Sequence, residues 1–124
     1  CLGMQLLGKS SKENGKTNGL GLMNYEVDKF RKNKKIKIPH VGFNKVIFKN
    51  NAKLFNGIRN GSDFYFVHSF RMMPEKLKNN FAITNYGINF LSYFNINNVY
   101  GTQFHPEKSQ ANGLKLLNNF LKIT

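Results

Sequence analysis

The sequence predicts an α/β domain, and three observations carry that prediction. Residues 63–67, Asp-Phe-Tyr-Phe-Val, form a nearly continuous apolar run of strand length, which suits a central strand buried on both faces. Residues 81–86, 88–94 and 99–104 read as three more short strands, joined by Gly87 and by the polar residues 95–98. Residues 110–122 place Leu114, Leu117, Phe120 and Leu121 at helical spacing, an amphipathic helix expected to cover the sheet with that apolar stripe.

Composition bounds what the domain can be. A chain of 124 residues with 40% hydrophobic content has the length of one small domain with a modest core. No run approaches the roughly 20 apolar residues of a membrane span, and no charged-then-apolar signal segment is present, so a soluble, cytoplasmic chain is expected. The single cysteine rules out an internal disulfide framework and fits a reducing cytosol. A net charge of +13 raises nucleic acid as a partner. Yet the lysines are spread along the chain, cluster only at residues 29–37, and are accompanied by asparagine throughout. Solvated faces are the expected consequence, and a basic nucleic-acid-binding module remains an alternative that rests on charge alone.

In chain order, residues 3–9 read as a short helix starting directly after Cys1. Residues 10–21 are polar and contain Gly15, Gly19 and Gly21, and are expected to form a loop in which Glu13 is the one carboxylate. A strand is expected over residues 20–30, ending in Tyr25, Val27 and Phe30, with the basic residues 31–37 as a turn. Residues 36–44 are extended by Pro39 and punctuated by Gly42, and His40 among its apolar neighbours reads as structural. Residues 45–49 alternate like a strand, residues 52–58 like a single helical turn, and residues 71–78, with Pro74, like a loop. The strand at 63–67 delivers His68 and Ser69 to its C-terminal end, where α/β sheets place ligands.

Chemistry concentrates at the two ends of the chain. Gln103-Phe104-His105-Pro106-Glu107-Lys108-Ser109 sets an imidazole and a carboxylate two residues apart, and Cys1 is the only thiol. Cysteine with histidine is the minimal set for thiol nucleophilic catalysis, and a carboxylate beside the histidine orients the base. A cysteine at a helix N-terminus has its thiolate favoured by the dipole and by free backbone N–H groups. There is no phosphate-binding glycine loop with a following Lys-Ser/Thr and no Cys/His set at metal-ligand spacing, so neither a metal nor a cofactor is expected.

Four segments in this order resemble the class I, or triad, glutamine amidotransferases. They are Cys1-Leu2-Gly3-Met4-Gln5-Leu6-Leu7, Pro39-His40-Val41-Gly42-Phe43-Asn44, Tyr65-Phe66-Val67-His68-Ser69-Phe70 and Gln103-Phe104-His105-Pro106-Glu107-Lys108-Ser109. Within the family, the glutaminase subunit of imidazole glycerol phosphate synthase is the most similar. The resemblance implies a three-layer αβα domain with a mixed sheet. It also implies that residues 1–124 are one such domain with its N-terminal part missing, a fragment starting at the nucleophile.

By that resemblance Cys1 attacks the side-chain amide of L-glutamine, His105 shuttles the proton and Glu107 orients His105. The backbone N–H of Leu2 is implied as an oxyanion donor, and Gln5 and Glu13 as contacts to bound glutamine. His68, Ser69 and Phe70 match the segment that holds the substrate α-carboxylate. Ammonia would pass to a (β/α)₈-barrel cyclase in a heterodimer, with residues 39–44 and Lys108 near the interface. Phe43 and Phe70 stand where the histidine-pathway proteins often carry Trp and Tyr, so a related subunit supplying ammonia for surface-sugar biosynthesis is the alternative.

Overall fold

A computed structural model describes residues 1–49, 52–73, 78 and 80–123. Helix α1 is Leu2–Leu6, with Cys1 at its N-cap. Among the described residues, ten strands follow: β1 Ser10–Ser11, β2 Thr17–Asn18, β3 Glu26–Lys29, β4 His40–Lys45, β5 Ile47–Phe48, β6 Asp63–His68, β7 Phe70–Met72, β8 Phe81–Asn85, β9 Asn89–Ile96 and β10 Val99–Thr102. Helix α2, Gln110–Ile123, closes the chain, and 3₁₀ turns occupy Lys53–Phe55 and Pro106–Lys108.

The strands form three sheets, and the fold is mixed α/β, as the sequence predicts. One sheet has the order β2-β1-β3-β7, with β1 and β3 parallel and the other pairs antiparallel. A second, β10-β9-β8-β5, is antiparallel throughout. The third pairs β4 with β6 in antiparallel register, from His40 opposite His68 to Lys45 opposite Asp63. An aromatic core of Phe30, Phe48, Phe55, Phe64, Phe66, Phe90, Tyr93 and Phe104 fills the space under β6, β8 and β9. A second cluster, with Met4, Met23, Val27, Met72, Leu91 and Phe94, seats α1 on the first sheet. Met4 is the one buried residue of that short helix. Burial of its side chain, worth roughly 2 kcal/mol, therefore does more to hold α1 than its own propensity, since five residues are too few to be helical alone.

Several expectations need correction. The segment at 10–21 is not plain loop: β1 and β2 form a small hairpin reversed at Asn14 and Gly15, both with positive φ. Two-residue strands carry no readable alternation, so the sequence shows only their turn. Likewise Arg71 and Met72, expected as loop, belong to strand β7, whose Met72 pairs with Val27. Residues 74–77 of that expected loop lie outside the described residues. The expected strand at 20–30 is shorter, starting at Glu26, and residues 20–24 instead return along α1, where Leu20 N–H donates to Leu6 O at 2.8 Å and Met23 N–H to Leu7 O at 2.9 Å.

Strand β6 was expected to be buried on both faces, and it is not. Phe64, Phe66 and His68 are buried while Asp63 and Val67 are exposed. The run is apolar because Tyr65 and Val67 pair with Phe43 and Val41 on the outer face, and apolarity alone cannot distinguish that from a second buried face.

Helix α2 also turns a different side inward. Gly113, Leu116 and Asn119 are buried, whereas Leu114 and Leu121 are 68% and 72% exposed. The Asn119 amide donates to Leu54 O at 3.0 Å and Asn56 O at 2.8 Å, tying the helix to the 3₁₀ turn at Lys53–Phe55. Two backbone hydrogen bonds offset the burial of an amide, so a polar residue marks the inner face. Gly113 is needed there because a Cβ on it would stand 1.8 Å from Pro106 O. The helix thus touches the turn that carries Glu107.

Candidate active site

The histidine–carboxylate pair is built by a change of direction in the chain. Strand β10 ends at Thr102, His105 is extended at φ −98° and ψ 101°, and Pro106 opens the 3₁₀ turn Pro106–Lys108. The two residues do not share a strand face, as alternation would suggest; the turn swings Glu107 back over the ring. His105 Nδ1 donates to Glu107 Oε1 at 2.8 Å. Proline suits this first position because it gives up no helical hydrogen bond there and its φ is already set.

The backbone of His105 is held on both sides. Its N–H donates to Tyr65 O at 2.9 Å, and its carbonyl accepts from Ser109 Oγ at 2.6 Å. Ser109 Oγ in turn accepts from Tyr65 N–H at 2.9 Å, so a 1%-exposed hydroxyl clamps β6 to the turn. Burial works to raise the Glu107 carboxyl, but the hydrogen bond from His105, its own N–H and the nearby cations outweigh it and hold it below the usual range. A neutral His105 that donates from Nδ1 leaves Nε2 as its lone-pair nitrogen, the form a general base requires.

Cys1 comes to the same region. Its nitrogen donates to Gln103 O, two residues before His105, and Gln103 Nε2 lies 3.5 Å from Cys1 O. The segment after His68 joins this region through Gln5, whose Nε2 donates to both Phe70 O and Gln103 Oε1. Cys1, the His68–Phe70 segment and Gln103, two residues before His105, are thus linked by hydrogen bonds from three distant parts of the chain.

Beside α1 lies a cavity of about 310 Å³ whose walls include Leu2, Gln5, Leu6, Ser11, Glu13, Asn14, Thr17 and Asn18. It collects three of the sequence-predicted binding residues, Leu2, Gln5 and Glu13. Leu2 is the first residue of α1, where a backbone N–H has no partner inside the helix. Glu13 stands on the hairpin tip with its own N–H bound to Ser11 Oγ at 3.1 Å. Gly19 packs against the segment joining α1 to β1: its N–H donates to Lys9 O at 2.8 Å, and a Cβ there would stand 2.1 Å from Gly8 O.

Gln5 is committed inward: its Nε2 donates to Phe70 O and to Gln103 Oε1, each at 3.0 Å. His68, Ser69 and Phe70 do not line this cavity; His68 is buried, and the segment reaches the cavity wall through the hydrogen bond that Gln5 Nε2 donates to Phe70 O. Sequence reasoning passed over Gln103 and Ser109 as site-building residues. Both lie inside the quoted motif, and their position as uncharged polar residues on either side of the His-Pro-Glu unit is the signal that could have marked them. Among the described residues, no group of three or more His, Cys, Asp or Glu is placed to hold a metal.

The family model of the class-I glutamine amidotransferases matches residues 1–123. The chain belongs to the class-I glutamine amidotransferase family. Related amidotransferase sequences agree along nearly the whole chain. The imidazole glycerol phosphate synthase subunit HisH 1 of Methanococcus maripaludis is 47% identical over 123 residues, covering 99% of this chain and 60% of its own length. The HisH subunit of Aquifex aeolicus is 45% identical over 97% of this chain and 57% of its own length. That of Pyrococcus furiosus is 44% identical over 99% and 62%. The amidotransferase chain thus spans about 60% of the length of the curated relatives it matches.

Proposed function

We propose that this chain carries the catalytic machinery of a glutaminase subunit that supplies ammonia to a cyclase making imidazole glycerol phosphate. The observation that carries the reading is the His105–Glu107 bond at 2.8 Å beside Gln103, whose carbonyl accepts from the Cys1 nitrogen. That bond supports a base with its orienting carboxylate two residues beyond the partner of Cys1, and the cavity beside α1, with the carboxylate Glu13 on its wall, supports a place for the substrate. The similarity to subunits named for imidazole glycerol phosphate synthase supports the histidine-pathway assignment over the sugar-amidating one.

In the proposed reaction His105 Nε2 takes the Cys1 thiol proton, and the thiolate attacks the side-chain carbonyl of glutamine. The Leu2 N–H stabilises the oxyanion, a contribution of about 3 kcal/mol in comparable sites. Glu107 holds the ring and stabilises the imidazolium as it forms. The same proton then passes to the departing ammonia, leaving a thioester on Cys1. Water, activated by the restored imidazole, hydrolyses it to glutamate and regenerates the thiol. Glu13 is suited to the substrate α-ammonium, and the His68–Phe70 segment to its α-carboxylate. All three reacting groups are side chains, so the reaction as proposed calls for no cofactor.

The partner we infer is a (β/α)₈-barrel cyclase in a heterodimer. Phe43, 49% exposed, packs edge-on to Tyr65 at 5.5 Å, and Lys108 Nζ lies over the Tyr65 ring at 5.8 Å. This apolar and cationic patch borders the His105 turn and is where an ammonia acceptor would dock. A free thiol that must stay reduced to act as nucleophile suits the cytoplasm, and no helix among the described residues is long and apolar enough to cross a membrane.

The test uses the full-length protein with its cyclase partner. An electrophilic glutamine analogue should label Cys1, detected by mass spectrometry, and Cys1→Ser should abolish both labelling and glutamine hydrolysis. Unchanged hydrolysis in Cys1→Ser would overturn the assignment.

A further inference from the structure

An unbroken chain of hydrogen bonds runs from strand β4 to α1, and the proposed reaction does not use its far end. The Asn44 amide is fixed at both atoms: Oδ1 accepts from Lys45 N–H at 2.8 Å and Nδ2 donates to Asn85 O at 2.9 Å. Nδ2 also lies 3.3 Å from His40 Nε2. His40 Nδ1 is 2.9 Å from His68 Nε2, and His68 Nδ1 is 2.7 Å from Phe70 O. That carbonyl is the one that holds Gln5 at 3.0 Å.

For neutral rings, donor and acceptor roles close in only one way. A carbonyl only accepts, so His68 carries its hydrogen on Nδ1 and presents a lone pair at Nε2. His40 must then donate from Nδ1, which leaves its Nε2 to accept from Asn44. Any other arrangement sets two lone pairs against each other, or two hydrogens between Asn44 and His40. The rings are 3% and 7% exposed, with Tyr86 stacked on His40 at 3.9 Å and Phe30, Phe66 and Phe90 around the pair. Burial lowers His40 to about 4 and His68 to about 3, consistent with two neutral imidazoles.

We propose that His40 and Asn44 are positioning residues for the glutamine pocket: they lock His68 in the tautomer that holds the Phe70 carbonyl, which in turn fixes Gln5 beside Cys1. The inference rests on the glutaminase reading and deepens it. It gives the Pro39–Asn44 motif a role inside the amidotransferase chain, in addition to any contact with a partner.

The experiment compares the full-length protein, with its partner, as wild type, His40→Phe and His40→Asn, by imidazole ¹⁵N spectra and glutamine kinetics. Wild type should show His40 and His68 both protonated on Nδ1. His40→Phe should shift the His68 ¹⁵N signature and lower kcat/KM for glutamine by about tenfold or more, chiefly through KM, as expected when a pocket wall is misplaced. His40→Asn, whose amide can donate from the Nδ1 position, should return the signature and bring kcat/KM to within about threefold of wild type.

An unchanged His68 signature in His40→Phe, or no rescue by His40→Asn, overturns the proposal. If His40→Phe does not fold, Asn44→Asp replaces it: an acceptor facing Nε2 should switch His40 to the Nε2–H tautomer and raise KM, and retention of the wild-type tautomer and KM overturns the proposal. If the wild-type complex does not hydrolyse glutamine, the glutaminase reading fails, while the spectra alone still decide the tautomer lock.

Discussion

Glu107 Oε1 accepts from His105 Nδ1 at 2.8 Å across an intervening proline, after the strand has already ended at Thr102. The pairing is a property of the turn. Its charge and its support can therefore be altered separately.

Glu107→Gln keeps an acceptor of the same shape and removes the charge that stabilises an imidazolium. Glutamine hydrolysis by the full-length complex should fall by roughly ten- to a hundredfold in kcat, less than for a fully buried triad carboxylate because Glu107 is 59% exposed. Steady-state kinetics with unchanged thermal stability would check it; a kcat within twofold of wild type would remove Glu107 from the catalytic set.

The depressed Glu107 carboxyl has a defined pH signature. A carboxyl lowered by folding contributes stability that is present above its ordinary value of 4.5 and lost as pH falls through the folded value. An NMR titration of the Glu107 side chain should give a midpoint below 4.5. A midpoint above it would mean that burial outweighs the bond to His105.

The buried imidazole pair predicts acid sensitivity of the fold. Both are lowered from 6.5, to about 4 for His40 and about 3 for His68, so between 6.5 and 4 the unfolded chain binds protons that the folded chain refuses. Stability should be full above pH 6.5 and decline on acidification, by up to about 1.4 kcal/mol per pH unit for each neutral imidazole. Thermal unfolding from pH 7 to 4 should show that slope, and His40→Phe should flatten it.

Ser109→Ala deletes a donor to His105 O and the acceptor for Tyr65 N–H at a site that is 1% exposed. A loss of about 1–3 kcal/mol in unfolding free energy is expected, with reduced kcat because the His105 backbone loses its clamp. Denaturant unfolding and kinetics read the two effects.

Gly113→Ala reverses the usual helix trend. Alanine ordinarily stabilises a helix relative to glycine by up to about 1 kcal/mol, but here its Cβ would meet Pro106 O at 1.8 Å. Destabilisation of roughly 1–3 kcal/mol and displacement of the Glu107 turn should follow. A gain in stability would show that α2 does not press on that turn.

Much of the fold was legible where the signal is local. The strands at Phe81–Asn85, Asn89–Ile96 and Val99–Thr102 are marked by alternation and by Gly87, and α2 by its length and spacing. The hairpin β1–β2 and strand β7 were not legible, because strands of two or three residues contain less than one full period of alternation. The inner face of α2 was misread for a different reason. Leu114, Leu117, Phe120 and Leu121 form the more apolar stripe, but Gly113 and Asn119 face inward because contact with Pro106 and with the carbonyls of Leu54 and Asn56 demands a missing side chain and an amide.

The sequence by itself determined the chemical inventory: one thiol, a His-Pro-Glu unit and their flanking motifs, whose residue types and short spacings need no fold to be recognised. Tertiary structure alone decided how these meet. The His105–Glu107 bond depends on a turn braced by Tyr65 and Ser109, and Cys1 reaches Gln103 across a sequence separation of 102 residues. The pairing of His40 with His68 exists only because β4 and β6 align in one register. Hydrogen bonds act over about 3 Å of space, and nothing in the linear order of residues states which distant groups the folded chain brings within that reach.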